Sequence, residues 1–170
     1  MMICISGIPG TGKSTLADEL KKRGYNIVRQ NDTVKDFIVS DDEERDTKII
    51  DEEKWVSSFK PFEGIIEGHL THLLPCDLVV ILRCRPDILK ERLQHRGYSQ
   101  EKVMENVEAE ALDVSLIEAL EYHEPCKILE IDTTNESVDI IATEIGDFMQ
   151  GKIPPSHGKT DWSEYFGMII

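Results

Sequence analysis

The chain has 170 residues, 33 of them acidic and 19 basic, for a net charge of −14, and 40% are apolar. That length suits one domain with its own core, and the apolar content excludes a disordered chain. The acid excess argues against a broad nucleic-acid-binding surface, which needs basic patches, and no apolar run reaches the ~18 residues of a membrane span. A soluble, cytoplasmic protein is expected.

The first predicted element is an apolar strand, Met2–Ser6, followed by Gly7-Ile8-Pro9-Gly10-Thr11-Gly12-Lys13-Ser14-Thr15. This is a complete G-x-x-x-x-G-K-[ST] phosphate loop, and the helical spacing of Leu16 and Leu20 supplies the strand–loop–helix context that such a motif requires. Glycines let backbone N–H groups close on phosphate oxygens, and the helix dipole adds positive potential. Gly7, Gly10, Thr11 and Gly12 therefore form the candidate cradle. Lys13 is assigned to the β- and γ-phosphates, Ser14 to Mg²⁺ directly, and Thr15 to the α-phosphate.

A second strand, Asn26–Arg29, opens into an unusually long connection, Asn31 to Pro61, read as a substrate-binding insert. It carries the acidic run Asp41-Asp42-Glu43-Glu44 between helix-like pieces. Within it, Asp32 either caps a helix or approaches the magnesium water shell or the acceptor, and Lys35 is a candidate for the acceptor's phosphate. The third strand, Gly64–Glu67, ends in Glu67-Gly68-His69. Glu67 is placed to orient a metal-bound water and His69 to position an attacking water or bind substrate, the alternative being a loop histidine satisfied by backbone. His69-x-x-His72-x-x-x-Cys76 lacks a fourth ligand at a recognisable spacing, so zinc is not expected.

After the strand Leu78–Leu82 comes a helix, Pro86–Arg96, in which Arg92 and Arg96 share a face at i and i+4. Phosphoryl transfer needs positive charge against the moving group, so both are candidate catalytic residues. The alternative is a solvated face paired with Glu91 or Glu101. Gly97 breaks the helix, Ser99 caps the next, and one helical stretch, Ser99–His123, follows. The last strand, Lys127–Asp132, leads to Asp132-Thr133-Thr134-Asn135, where Thr134 and Asn135 are candidates for the nucleobase edge. A final helix, Val138–Gly151, gives way to a Pro-Pro linker and an aromatic terminus from Trp162, predicted to dock on the domain or on a partner. Cys4, Cys76, Cys84 and Cys126 form no C-x-x-C pair and are expected to be reduced, with Cys4, Cys84 and Cys126 in or beside strands.

Short apolar strands alternating with helices predict an α/β fold, a five-stranded parallel sheet with helices on both faces. The loops after Ser6, Arg29, Glu67, Leu82 and Asp132 should converge at the carboxyl edge.

Together, Gly7–Thr15, the insert ending Ile50-Asp51-Glu52-Glu53, Glu67-Gly68-His69, Val80-Ile81-Leu82-Arg83, Glu91 to Tyr98 and Glu105 to Glu110 resemble the adenylate kinase isoenzyme 6 family, the coilin-interacting nuclear ATPase branch, in its archaeal form. The resemblance covers residues 1 to about 150. It implies a P-loop NTPase of adenylate-kinase-like fold, with a monophosphate-binding insert near 29–50, a short lid near 95–105, and a separate linker and tail over 151–170. It also implies reversible transfer from ATP to AMP or another nucleoside monophosphate, ATP hydrolysis, Mg²⁺, and a transient small-subunit ribosomal partner of the S-eleven family in ribosome maturation and rRNA processing. By position, Gly10, Gly12, Lys13, Ser14, Thr15 and Arg96 would bind ATP; from the residues themselves, apart from the resemblance, Asp32, Lys35, Gly68 and His69 are candidates for the acceptor side, and Asp32 and Glu67 for the metal's water shell.

The chain departs from the family pattern in places. Glu67 stands where the eukaryotic branch has Asp, Asn135 replaces a Lys, and the arginine that typical adenylate kinases carry after the third strand has no counterpart near Gly68, which implies broader acceptor binding. Two rival functions remain at this stage: an ATPase switch acting in assembly, and a small-metabolite kinase such as one for shikimate.

Overall fold

The computed structural model describes residues 1–44 and 47–168; Arg45 and Asp46 of the insert, and Ile169 and Ile170 of the tail, lie outside the described residues. β1 (Met2–Ser6) is buried along its whole length. Ile3 and Ile5 point to one face, Met2 and Cys4 to the other, and each pair joins a separate core cluster. α1 (Lys13–Lys22) buries Leu16, Ala17 and Leu20 at helical spacing. β2 (Ile27–Arg29) runs straight into a single helical turn, α2 (Gln30–Thr33).

The inserted region has the expected helical pieces, Gln30–Thr33 and Lys35–Phe37 before the acidic run and Glu52–Ser58 after it, and between them a hairpin that was not expected. β3 (Ile38–Asp42) and β4 (Thr47–Ile50) pair antiparallel, and α3 (Glu52–Ser58) follows. The β-branched residues Ile38, Val39, Ile49 and Ile50 favour strand, and four adjacent acids gain nothing from a helix that stacks like charges at i+3. The acidic run therefore ends β3 and starts the turn.

β5 (Gly64–Glu67) and β6 (Leu78–Arg83) return to the main sheet. α4 (Pro86–His95) opens with proline in its first turn, where no N–H partner is lost. α5 (Gln100–Ala111) is capped by the Ser99 hydroxyl, which accepts from the Lys102 N–H at 3.2 Å. The stretch Ser99–His123 divides into α5 and α6 (Val114–Tyr122), because Asp113 adopts φ 58, the one positive φ outside glycine among the described residues. Its carboxylate lies 2.5 Å from the Arg83 guanidinium, a long-range contact that holds the break. β7 (Ile128–Asp132) and α7 (Val138–Met149) are the last strand and α-helix among the described residues, and a 3-10 stretch, Ser163–Met168, follows them.

The main sheet runs β2-β5-β1-β6-β7, with all neighbours parallel. One core cluster lies between the sheet and α1 and α7, including Leu16, Leu20, Ile141 and Phe148. On the opposite face Trp55, Leu74, Leu116 and Ala119 pack against Met2, Cys4 and Ile81. Among the described residues no helix is long and apolar enough to cross a membrane.

Cys4 and Cys76 lie side by side, their Cα atoms 5.9 Å apart, a separation that admits a disulfide, because the Asp77 N–H bonded to the Met2 carbonyl at 2.9 Å brings Cys76 beside β1. Cys84 is a buried free thiol, its pKa pushed up to about 11 by burial, whereas Cys126 is free and exposed.

The aromatic tail docks on the domain itself. Ser156 forms a parallel bridge with Leu129 of β7, and buried Trp162 donates its indole N–H to Glu110 at 3.0 Å.

Candidate active site

The loop after β1 wraps on its own carbonyls. Thr11 donates its hydroxyl to the Ile8 carbonyl at 2.8 Å, and the Lys13 ammonium donates to the carbonyls of Gly7 (2.7 Å) and Ile8 (3.0 Å). Gly7 has φ 146, and a Cβ there would lie 2.6 Å from the Leu82 carbonyl oxygen, so only glycine lets the loop pass this close to β6. Burial lowers the Lys13 pKa to about 8, opposed by the nearby Glu67 carboxylate and aided by the Arg96 charge. Ser14 and Thr15, in the first turn of α1, are exposed.

A cleft of about 620 Å³ lies beside this loop, lined by Gly10, Thr11, Gly12, Thr15, Arg92 and Arg96 and closed by Thr133, Glu136, Val138 and Ile141. Arg92 reaches across it, donating to the Gly10 carbonyl (3.2 Å) and the Thr133 carbonyl (3.4 Å). Arg92 thereby ties the phosphate loop to the loop after β7. Thr133 donates its hydroxyl to the Thr11 carbonyl (2.8 Å) and its backbone N–H to the Arg83 carbonyl (2.8 Å). Thr134 and Asn135, the expected base-edge residues, are not in the lining: the Thr134 hydroxyl instead accepts from the Arg85 N–H at 2.8 Å. Thr133 and Glu136 take their places.

On the other side of the loop a smaller pocket of about 170 Å³ is lined by Lys13, Ser14, Glu67, Gly68, His69 and Arg96, together with Gln30, Asn31 and Tyr98. Glu67 is buried, its carboxylate 2.9 Å from Arg29, which also grips Asp18 at 2.6 Å. Gln30 accepts the Leu70 N–H at 2.8 Å, and its amide nitrogen lies 3.4 Å from His69 Nδ1. Gly68 is obligatory here, since a Cβ would fall 2.3 Å from Gln30. Burial, with help from the Lys13 charge, lowers the His69 pKa to about 4, so its ring is neutral at pH 7.

Asp32 and Lys35 do not join this group. They form an exposed i,i+3 pair, 3.5 Å apart, outside the pocket lining, because the single turn after β2 aims them outward. The sequence reading missed Gln30, Arg29 and Tyr98. Gln30 carried one usable signal, its position as the first residue after a strand predicted to end at the site.

The strand-edge loops thus converge as the parallel topology demands. The family model described as an AAA domain matches residues 3–113. A protein of Archaeoglobus fulgidus named "Putative adenylate kinase" is 42% identical over 151 residues, covering 89% of this chain and 83% of the relative. The chain belongs to this archaeal adenylate kinase family. A like-named family member from Pyrococcus abyssi is 41% identical over 174 residues, covering all of this chain and 96% of its own, so the likeness to this adenylate kinase family runs through the tail. Among solved structures, deoxyadenosine kinase from M. mycoides aligns with a TM-score of 0.58 at 18% identity, over 90% of this chain and all of that one. Shikimate kinase from Bacteroides thetaiotaomicron aligns with a TM-score of 0.56 at 16% identity, over 88% and 98%. At those identities the likeness is one of fold, the α/β P-loop fold expected.

Proposed function

We propose that the protein is a nucleoside monophosphate kinase that transfers the γ-phosphoryl group of ATP to AMP or a similar monophosphate. One observation carries this reading. The large cleft and the small pocket are separate, yet both are lined by Gly10 and Arg96, so occupants of the two would meet at the phosphate loop. That is the arrangement transfer between two nucleotides needs, since catalysis here is mainly positioning and charge stabilisation.

In this reading ATP lies in the cleft, with its phosphates on the N–H groups of Gly7, Gly10, Thr11 and Gly12 and on Thr15. Lys13 and Arg96 neutralise the moving phosphoryl group, and Arg92 holds the two loops at the base end together. Ser14 and Glu67 present oxygen donors to the same pocket, the donor type Mg²⁺ takes, whereas Asp32 lies outside it. Magnesium, when bound, would neutralise phosphate charge, with Ser14 as direct ligand and Glu67 holding its water. An acceptor phosphate oxygen beside Gly68 and His69 attacks the γ-phosphorus as the bond to ADP breaks. Without an acceptor, neutral His69 orients a water for the same attack, giving ATP hydrolysis.

In this reading residues 29–50 act as monophosphate-binding insert and 95–105 as lid, with the linker and tail over 151–170 outside the catalytic unit. The isoenzyme 6 resemblance supports an additional role in small-subunit maturation through a basic ribosomal protein of the S-eleven family. The test is the rate of ADP formation from ATP with AMP, CMP or shikimate added separately. Monophosphates should raise the rate and shikimate should not; a rate raised by shikimate alone would reassign the acceptor pocket.

A further inference from the structure

Behind the candidate site lies a buried histidine that the phosphoryl chemistry does not use. His72 is closed to solvent; its Nδ1 lies 2.7 Å from the Ser6 hydroxyl and its Nε2 2.8 Å from a carboxylate oxygen of Glu118 on α6. The same Ser6 hydroxyl lies 3.2 Å from the backbone carbonyl of His69. Ser6 is fully buried, so this Ser–His–Glu series is not a nucleophilic triad. We propose that His72 is a positioning residue: through Ser6 it determines whether the His69 carbonyl has a hydrogen-bond donor, and its own proton decides which.

The argument is a count of hydrogens. Ser6 has one hydroxyl hydrogen and two acceptors competing for it. An ionised Glu118 only accepts, so His72 carries a proton on Nε2. When the ring is neutral, Nδ1 is bare and takes the Ser6 hydrogen, leaving the His69 carbonyl without it. When the ring gains a second proton, Nδ1–H donates to the Ser6 oxygen, and the hydroxyl hydrogen turns to the His69 carbonyl. One proton at His72 thus becomes one hydrogen bond at the turn Gly68–Leu70, which Gln30, the Ile5 carbonyl and the Thr71 hydroxyl also hold.

Several groups set the proton affinity of His72. Glu118, partly exposed, favours the charged ring and is itself near Glu52 of α3. His123, which donates from Nε2 to the His72 carbonyl at 2.7 Å, and Lys13 of α1 oppose it, while His69, with its pKa lowered to about 4, is a neutral ring here. Burial dominates and holds the His72 pKa below its ordinary value. The neutral arrangement therefore holds at pH 7, and the hydrogen moves to His69 on acidification.

The functional consequence rests on the reading of His69 as the residue that orients the attacking water, and the experiment separates the two. The full-length, nucleotide-free protein is titrated from pH 8 to pH 5 by NMR, following the His72 ring nitrogens and the His69 carbonyl carbon. The carbonyl shift should step at the His72 midpoint. Ser6→Ala should remove that step while His72 still titrates, Ser6→Thr should restore it, and Glu118→Gln should move both midpoints to lower pH together. A His72 that keeps one protonation state over the range, a carbonyl indifferent to it, or an unchanged step in Ser6→Ala overturns the proposal. In rate measurements Ser6→Ala should change kcat for ATP hydrolysis by about 3- to 10-fold, the scale of one hydrogen bond, and flatten its acid limb with KM unchanged. If the shifts couple as stated but His69→Ala hydrolyses ATP normally, the relay stands and the role given to His69 fails.

Discussion

Lys13 is held by two carbonyls and faced by a buried carboxylate, so its charge serves the phosphate loop more than the core. Lys13→Ala should cut turnover by on the order of 10²–10³, the effect of losing one charge aimed at the transition state, while its thermal melt stays near that of the parent. Its lowered pKa of about 8 gives a pH signature: kcat/KM for ATP should fall as pH rises through about 8, when the free enzyme loses the cation. His69 gives the opposite limb. Its folded pKa of about 4 lies below the ordinary 6.5, so between those values the unfolded chain binds more protons than the folded one. Its contribution to stability is complete above pH 6.5 and is lost as pH falls towards 4; urea melts at pH 7.5 and pH 5 should differ less in His69→Ala. Gly68 is a steric case. Gly68→Ala forces Gln30 aside and breaks its bond to Leu70, which should cost about 1–3 kcal/mol in denaturant melts and lower kcat through the displaced His69 turn.

At the scale of elements, the site stands on a buried charge cluster. Arg83 at the end of β6 binds Glu110 of α5 (2.8 Å), Glu130 of β7 (2.5 Å) and Asp113 between the helices (2.5 Å), and Trp162 of the tail shares Glu110. It fixes the spacing of the loops after β6 and β7 and pins the tail against α5. Arg83→Leu leaves buried carboxylates without their cation and should cost about 3–5 kcal/mol, whereas Trp162→Phe should cost about 1 kcal/mol, both read from denaturant midpoints at constant slope. The five sheet strands were legible because they are short apolar runs closed by polar or glycine residues, such as Met2 to Ile5 before Ser6-Gly7 and Leu78 to Leu82 between Asp77 and Arg83. The phosphate loop and the pocket positions of Glu67 and His69 were legible because motif and strand ends coincide, and that of Arg96 because it stands beside the glycine that ends α4. The break at Asp113 was not, since its cause, Arg83, lies thirty residues away. Nor was Gln30, whose role comes from the bare backbone of Gly68 packed against it. Asp32 and Lys35 looked like site residues by position, and only the direction of one helical turn takes them outward.

For the whole molecule, the net charge of −14 makes a surface that attracts basic proteins and repels free nucleic acid. If the proposed ribosomal partner binds, its affinity should drop steeply between low and physiological salt, because exposed charges are screened within ~8 Å there, and it should differ between ATP-bound and ADP-bound protein. Titration at two salt concentrations in each nucleotide state would check this; equal affinity throughout would leave charge and nucleotide state without a role. The central claim, that the site passes a phosphoryl group between two nucleotides, is tested most directly by tracing the group. The protein is given ATP labelled at the γ-phosphate, with AMP present, and the label is located in the products. The account predicts label in ADP, formed from AMP, and its loss in Lys13→Ala. Label recovered only as inorganic phosphate, with AMP unchanged, would contradict it.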